Sequence, residues 1–137
     1  MNTFEEIPAG NISIAKRTLK YGVGINDAQY QVQLRNTDNT LLTCPFYKVW
    51  SDMLKRCYSQ TFLTKNPTYK GCYVCTPWLT FSNFRKWMET QAWKGKELDK
   101  DILIAGNKIY SPETCIYVPQ WLNSFTINNI ILIIIYS

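Results

Sequence analysis

The chain has 137 residues, which is enough to bury one hydrophobic core and too few for two domains of ordinary size. Fifteen Lys and Arg residues against ten Asp and Glu give a formal net charge of +5, and nine Tyr, six Phe and five Trp are interleaved with them. Nucleic-acid binding requires cationic and aromatic side chains, but a basic protein with an aromatic core has the same composition. The lack of histidine excludes any mechanism with an imidazole base.

The N-terminal third of the chain predicts an arm followed by a β-hairpin. Its first residues, "MNTFEEIPAG", have no basic flank leading into an apolar run, so we expect no signal peptide and a cytoplasmic protein with reduced thiols. "YQVQL" alternates in polarity, and "RNTDNT" has the composition of a turn before "LLTC". We therefore place the arm and hairpin at residues 1–43.

A first amphipathic helix is predicted from Pro45. "PFYKVWSDMLKRCY" repeats its apolar residues at spacings of three and four, with the proline in the first turn. Lys48, Lys55 and Arg56 lie away from the apolar stripe. A solvated face is the favoured interpretation of these charges, and a phosphate-contacting face is the alternative.

A second helix is predicted from "TFSNFRKWMETQAW", which Thr80 or Ser82 can cap and which runs to about Trp93. The "KGKE" loop then breaks the helix, and its Lys94 and Lys96 suit phosphate contacts. The spacing of the five tryptophans favours core packing over base stacking for all of them except Trp93. They are Trp50, Trp78, Trp87, Trp93 and Trp121.

The segment "LDKDILIAGNKIYSPETCIYVPQWLN" predicts a strand, a loop, a second strand and a helix. Its period changes to two, so that Leu98, Lys100 and Ile102 fall on one side of a strand. Asp99 and Asp101 fall on the other side. "GN" supplies a turn, "CIYV" forms the return strand, and the proline of "PQWLN" begins a short helix. The segment therefore reads as a ββα unit.

Three blocks, "CPFYKVWSDMLKRCYS", "PTYKGCYVCTPWLTFSNFRKWM" and "LDKDILIAGNKIYSPETCIYVP", resemble the phage HNH homing endonucleases of free-standing mobile genes, over roughly residues 20–125. The resemblance implies an α+β fold with a ββα-metal (His-Me finger, HNH-like) core, preceded by the two helices and the hairpin. The HNH-like nuclease domain, which includes the two helices, is placed at 44–125. It implies cleavage of double-stranded DNA in the host cytoplasm with Mg²⁺ or Mn²⁺. Such proteins usually continue into a DNA-binding domain like that of certain plant transcription factors, where this chain has an apolar tail at 126–137.

The resemblance also assigns four site residues. Asp99 matches the acid on the metal, and Asn123 matches the ligand on the closing helix; both offer the oxygen atoms that Mg²⁺ prefers. Lys100 stands where such proteins have the histidine base, and Thr114 stands where they have the asparagine that orients it. The metal pair is therefore kept, while the water-activating pair is changed.

Lysine is a poor replacement for the histidine base. A lysine acts as a base only when neutral, and lowering its pKa from about 10.4 to about 7 costs about 4 to 5 kcal/mol. The neighbouring Asp99 and Asp101 favour the charged form. We therefore predict that Lys100 is a phosphate clamp or transition-state stabiliser, and that hydrolysis is weakened.

The cysteines allow two interpretations. Cys72-x-x-Cys75 has the spacing of a metal knuckle, and two further cysteines could complete a Cys₄ zinc site. Tyr73 and Val74 between the two thiols are unusual for a tight knuckle, so we favour buried apolar thiols over structural zinc. The four thiols concerned are Cys57, Cys72, Cys75 and Cys115.

Two classes of function remain open from the sequence. In the first, the protein binds double-stranded DNA through its cations and cuts it weakly if at all; the contacts are Lys94, Lys96, Lys108 and Arg56. In the second, a catalytically dead nuclease scaffold binds a protein partner or inhibits a host factor. The apolar block Ile130–Ile135 predicts a last core strand or a self-association surface, and it is too short to span a membrane.

Overall fold

The computed structural model describes residues 3–123, except for the side chain of residue 123. Over that range it shows five α-helices and three two-stranded sheets, which confirms the predicted α+β class. The elements are α1 (Asn11–Ala15), β1 (Gln33–Arg35), β2 (Leu41–Thr43), α2 (Pro45–Tyr58), α3 (Gln60–Lys65), β3 (Tyr73–Val74), α4 (Phe81–Glu89), β4 (Lys96–Asp99), β5 (Ile109–Tyr110), β6 (Ile116–Pro119) and α5 (Gln120–Asn123), with 3₁₀ turns at Pro67–Tyr69 and Thr76–Leu79.

The apolar tail falls outside this description. The predicted segment at 126–137, with its block Ile130–Ile135, lies beyond the described residues. From residue 3 to residue 123, no helix has the length and apolar character that crossing a membrane demands.

Helix α2 has the bounds that its apolar repeat predicts, and it forms the centre of the core. Trp50, Met53 and Leu54 on its inner side are fully buried. The indole Nε1 of Trp50 donates a hydrogen bond of 2.8 Å to the carbonyl of Trp78, so the buried N–H is satisfied. Each of these apolar side chains contributes about 1.5–3 kcal/mol by leaving water.

Helix α4 is shorter than predicted and is capped from a distant part of the chain. It ends before Thr90 instead of reaching Trp93, and the Thr90 hydroxyl donates to a carbonyl of the last turn at 2.6 Å. Thr80 is the N-cap residue, but its side chain makes no cap hydrogen bond. Asp27 caps the helix instead, because its carboxylate accepts from the backbone N–H (2.9 Å) and the hydroxyl of Ser82.

The N-terminal arm is held in its fold by the side chain of Arg17 and packs closely on α2. The guanidinium of Arg17 donates to the carbonyls of Asn26 and Tyr30, at 3.0 and 3.1 Å, and to the carbonyl between them at residue 28. Gly24 lies so close to α2 that a Cβ atom at this position would overlap Cδ1 of Leu54. A glycine is therefore needed at residue 24 for close packing.

The predicted β-hairpin is present. Strands β1 and β2 pair antiparallel, with Leu34 opposite Leu42. The turn between them is closed by the N–H of Asn36, which donates to the carbonyl of Thr40 at 2.8 Å. Asn39 adopts a left-handed φ of 71°, which asparagine tolerates better than most residues.

Aromatic side chains join α2, the second 3₁₀ turn and α4. Trp78 packs edge-on against Phe84, with ring centroids 4.9 Å apart. The prediction that Trp121 is a core residue is wrong, since 57% of it is exposed. Its neighbour Leu122 takes the buried position on α5, and adjacent residues on a short helix point in different directions. Trp93 is half-buried, and its ring meets that of Phe46 at 5.1 Å.

The predicted order of strand, loop, strand and helix is observed. Strands β4 and β6 pair antiparallel, and α5 follows β6 directly. The first strand ends at Asp99, but every second side chain stays buried beyond that point, as Leu98, Lys100 and Ile102 show. Pro119 ends β6 instead of starting the helix. Between the two strands, β5 pairs in parallel with β3, a long-range contact that the sequence did not predict.

Candidate functional site

Asp99, the predicted metal ligand, closes β4 and holds the turn that follows. Its Oδ2 accepts hydrogen bonds from the backbone N–H groups of Asp101 (2.8 Å) and Ile102 (2.7 Å), which is a typical structural use of aspartate in turns. Burial raises the pKa of the Asp99 carboxyl above its usual value, and the two hydrogen bonds oppose this shift without cancelling it. Asp99 therefore organises the start of the loop.

Lys100, at the predicted position of the base, is a buried residue with 7% of its side chain exposed. Its Nζ lies 2.8 Å from Oδ1 of Asp101 and donates to the carbonyl of Asn107, also at 2.8 Å. The ring centroids of Tyr69 and Tyr110 are each 5.8 Å from the same nitrogen. Protein groups therefore surround the ammonium, and a role of Lys100 as a phosphate clamp stays a prediction.

Asn107 ties the far end of the same loop to its start. Its Nδ2 donates to the carbonyls of Lys100 (3.0 Å) and Ile109 (2.6 Å), and its Oδ1 accepts from the N–H of Ile109 (3.2 Å). We call the set Lys100, Asp101 and Asn107 the loop lock. From the sequence, Asn107 was predicted only to be a turn residue. Its side-chain amide could have indicated this role, because it can both donate hydrogen bonds to nearby backbone carbonyls and accept them from nearby N–H groups.

Thr114 is also buried and has a structural role. Its Oγ1 lies 2.8 Å from Oγ of Ser111 and donates to the carbonyl of Ile109 at 2.9 Å. Among residues 3–122, no hydrogen bond joins Thr114 to Lys100. The two residues that replace the base and its orienting partner are therefore not assembled as a catalytic pair.

The four cysteines considered for zinc are packed as apolar side chains. Cys57, Cys72 and Cys115 are buried, and Cys75 is half-buried. Burial raises the pKa of the Cys57 and Cys115 thiols to about 12, and that of Cys75 is also raised by burial. Among the residues that the structure describes, these thiols are not arranged as a group that could hold a metal ion, so a Cys₄ site is not supported.

The predicted nucleic-acid contacts divide into exposed and half-buried residues. Lys94 and Lys96 are exposed beside Trp93, where the three residues line a shallow cavity of about 300 Å³. Lys108 is exposed and its Nζ donates to the carbonyl of Thr68 at 3.0 Å. Arg56 is half-buried and hydrogen-bonds the side chain of Tyr110, so it belongs to the core side of α2.

Exposed lysines from three parts of the chain lie on or beside elements that contact one another, a grouping that the sequence did not reveal. Between Asp52 and Glu89 the chain has six Lys and Arg residues and no Asp or Glu. Lys108, which is remote from this stretch in sequence, reaches it through its hydrogen bond to residue 68. We name the surface the cationic face; it consists of Lys55, Lys65, Lys70 and Lys108, all of them exposed.

Aromatic residues connect the members of the cationic face. The Nζ of Lys55 lies 5.8 Å from the ring centroid of Phe62, whose ring packs on that of Tyr69 at 5.4 Å. Tyr73 is exposed, and its backbone N–H donates to the carbonyl of Lys108 at 2.9 Å. Exposed lysines and an exposed tyrosine therefore occur on neighbouring segments, and cationic and aromatic side chains together are what single-stranded nucleic-acid binding uses.

The described residues do not form a metal centre by themselves. In the part of the chain that the structure describes, no three His, Cys, Asp or Glu side chains are arranged to hold a metal ion. Asp99 uses Oδ2 for two backbone amides, and the side chain of its predicted partner Asn123 lies outside the described residues. Use of Mg²⁺ or Mn²⁺ at this pair stays a prediction.

Comparison with known proteins does not assign the chain to a family. No family model, no curated protein and no solved structure matches the chain. The resemblance to HNH endonucleases therefore rests on the three sequence blocks alone, and it stays a prediction.

Proposed function

We propose that the protein binds double-stranded DNA through the cationic face, with Lys94 and Lys96 as further phosphate contacts, and that its nuclease-like unit hydrolyses DNA weakly or not at all. The observation that carries the proposal is the acid-free stretch from residue 53 to residue 88, in which the exposed Lys55, Lys65 and Lys70 lie on or beside elements that contact one another. Lys108 is brought to these elements by its hydrogen bond to residue 68. The resemblance to DNA-cutting enzymes points to the same ligand.

The charges of the cationic face are free to meet phosphates. Within residues 3–123, the lysines of ion pairs are Lys48 and Lys100, and neither belongs to the cationic face. A lysine without a carboxylate partner loses no ion pair when it contacts a phosphate. Each contact releases a condensed counterion, which makes binding favourable and strongly dependent on salt.

Weak hydrolysis follows from the loop lock. The residue at the position of the base, Lys100, is buried and bonded to Asp101 and Asn107. Thr114 is buried and bonded to the loop backbone. Neither side chain can take a proton from an attacking water molecule. The proposed activity is therefore binding, and the loop lock gives the unit its shape.

Binding is tested with a fluorescent 20-base-pair duplex, by anisotropy over a series of salt concentrations. The variant Lys65→Gln/Lys70→Gln removes two lysines from the cationic face, and Lys16→Gln/Lys48→Gln removes two exposed lysines elsewhere. We expect the first to reduce the slope of log K against log [salt] by roughly 2, since each phosphate contact contributes about 0.9. Equal slopes for the two variants, or no binding by the wild type, would contradict the proposal.

Hydrolysis is tested by nicking of supercoiled plasmid with Mg²⁺ or Mn²⁺. We expect the wild type to nick slowly or not at all, because no side chain at the loop lock can act as the base. Lys100→His is the matched variant that restores the residue of the HNH pattern. If the wild type nicks as fast as Lys100→His and Asp99→Ala does not nick, the assignment of weak activity is wrong.

Exposed apolar residues favour a second function, the binding of a protein partner by a nuclease-like scaffold. Leu41 and Leu42 lie exposed on the hairpin, and Leu103 and Ile104 lie exposed in the loop after β4. Large exposed apolar side chains are common at interaction surfaces. A stable oligomer that does not bind DNA, measured by light scattering after size-exclusion chromatography, would favour this function; its loss on deletion of Ile130–Ile135 would assign the contact to the tail.

A further inference from the structure

A cavity of about 520 Å³ lies between the N-terminal arm, the start of α2 and the loop after α4. This volume is within the range of sites that bind small molecules, about 300 to 1,000 Å³. Its apolar lining includes the rings of Phe4, Phe46 and Trp93, and its polar lining includes Glu6, Arg85 and Lys94. None of these residues belongs to the cationic face or to the loop lock.

The aromatic lining is built from side chains that already contact each other. The rings of Phe46 and Trp93 meet edge to face, with centroids 5.1 Å apart and planes at 63°. The guanidinium carbon of Arg85 lies 4.6 Å from the centroid of Phe46. Trp93 is half-buried, so its ring is supported by the core while part of it borders the cavity. A planar aromatic ligand can stack against such a surface.

The polar lining offers both a hydrogen-bond donor group and an acceptor group. Arg85 donates to Oε1 of Glu6 at 2.6 Å, to Glu89 at 3.1 Å and to the phenol of Tyr30 at 2.8 Å. Its charge is thus matched within the protein. Because Arg85 and Glu6 lie side by side, they suit the edge of a nucleobase, which carries donors and acceptors together.

The cationic part of the site is the exposed Lys94. It lines this cavity and also the neighbouring one of about 300 Å³, which is lined in addition by Lys96. Trp93 borders both cavities, so the aromatic lining and the pair of lysines meet at one indole ring. An aromatic ring with a phosphate attached would match this arrangement in both shape and charge.

We propose that this cavity binds one nucleotide whose base has left the DNA stack, with the base against Trp93 and Phe46 and its phosphate at Lys94 and Lys96. The inference rests on the proposed DNA binding and adds a second site to it. An unpaired base is the preferred occupant because removing a paired base from a duplex costs a few kcal/mol.

The test compares a fully paired 20-base-pair duplex with the same duplex carrying one bulged nucleotide, by anisotropy at one salt concentration. We expect the wild type to bind the bulged duplex at least about fivefold more tightly, the factor that corresponds to weak stacking of a base on an aromatic ring. The ratio of the two dissociation constants should fall to about one in Trp93→Leu and should be largely kept in Trp93→Phe. Trp121→Leu, a change at an exposed tryptophan elsewhere, should keep the ratio of the wild type.

A second measurement does not depend on duplex binding. By isothermal titration calorimetry, the wild type should bind adenosine monophosphate more tightly than adenosine and ribose 5-phosphate. Lys94→Gln changes an exposed residue, so it should fold normally and lose the preference for the monophosphate over adenosine.

The outcomes separate the two proposals. Equal affinity for the two duplexes would overturn the nucleotide site and leave DNA binding in place. If the wild type binds neither duplex, the proposed function is wrong, and the calorimetry then tests whether the cavity binds a nucleotide. Binding of ribose 5-phosphate as tight as that of the monophosphate would show that the cavity does not recognise the base.

Discussion

The burial of Lys100 can be tested against a matched ion pair in the same chain. Asp101→Asn and Asp52→Asn each remove the negative charge from a Lys–Asp pair with an N–O distance of 2.8 or 2.9 Å. The two carboxylates are similarly exposed, at 38% and 42%. The lysines differ, since 7% of the Lys100 side chain is exposed against 64% for Lys48. The comparison therefore isolates the effect of a buried ammonium.

The two substitutions should differ in cost by about 1.5 kcal/mol. After Asp52→Asn, water solvates the ammonium of Lys48, and an exposed pair four residues apart on a helix is worth about 0.3–0.5 kcal/mol. After Asp101→Asn, the ammonium of Lys100 keeps only the carbonyl of Asn107 as a strong partner. Breaking a fully buried pair costs about 3–5 kcal/mol, which we reduce to about 2 kcal/mol because the carboxylate of Asp101 is more than a third exposed.

The assay is urea unfolding at pH 7, followed by far-UV circular dichroism in low salt and in 1 M NaCl. The loss from Asp101→Asn should persist in high salt, because buried charges are screened less than exposed ones. It corresponds to a fall in the thermal midpoint of roughly 8 °C for a domain of this length. Equal losses for the two variants would refute the reasoning, since the ammonium of Lys100 would then have reached water.

Three further predictions concern the core and the arm. Gly24→Ala should cost about 1–3 kcal/mol of unfolding free energy because its Cβ meets α2, whereas Gly10→Ala, with open space around it, should not, as thermal melts can verify. Asp27→Ala should cost about 1 kcal/mol in urea unfolding through loss of the α4 cap; an unchanged midpoint would rule that cap out. Burial raises the pKa of Cys57 and Cys115 to about 12, so stability should be intact below about pH 8.5 and fall from there towards pH 12, and a flat urea midpoint between pH 8 and 10.5 would contradict this.

Much of the local structure follows from patterns within short segments. The apolar repeat after Pro45 predicted the bounds of α2, and the turn before Leu41 predicted the hairpin. The alternation of Leu98, Lys100 and Ile102 predicted their burial, even though the strand ends at Asp99. In each case the residues that decide the structure lie within one or two turns of helix or a few positions of strand.

The candidate site was predicted less completely. The residues of the ββα unit were found, but the surroundings of Lys100 were not: its ammonium lies inside the loop lock. The sequence did contain an indication that Lys100 is buried, because this lysine falls on the apolar side of an alternating strand. The role of this lysine depends on the Asp101 carboxylate and the Asn107 carbonyl, and the second of these comes within reach of its ammonium only when the loop folds back.

The sequence by itself determined the α+β class, the main helices, the hairpin and the excess of positive charge, because each depends on composition or on residues that are close in the chain. The tertiary structure alone decided that Asp27 caps α4, that β3 pairs with β5, that Lys108 joins the cationic face and that Trp93 borders a cavity. These features join side chains that are remote in sequence. Their energies depend on distance and burial in the folded chain, which no local pattern records.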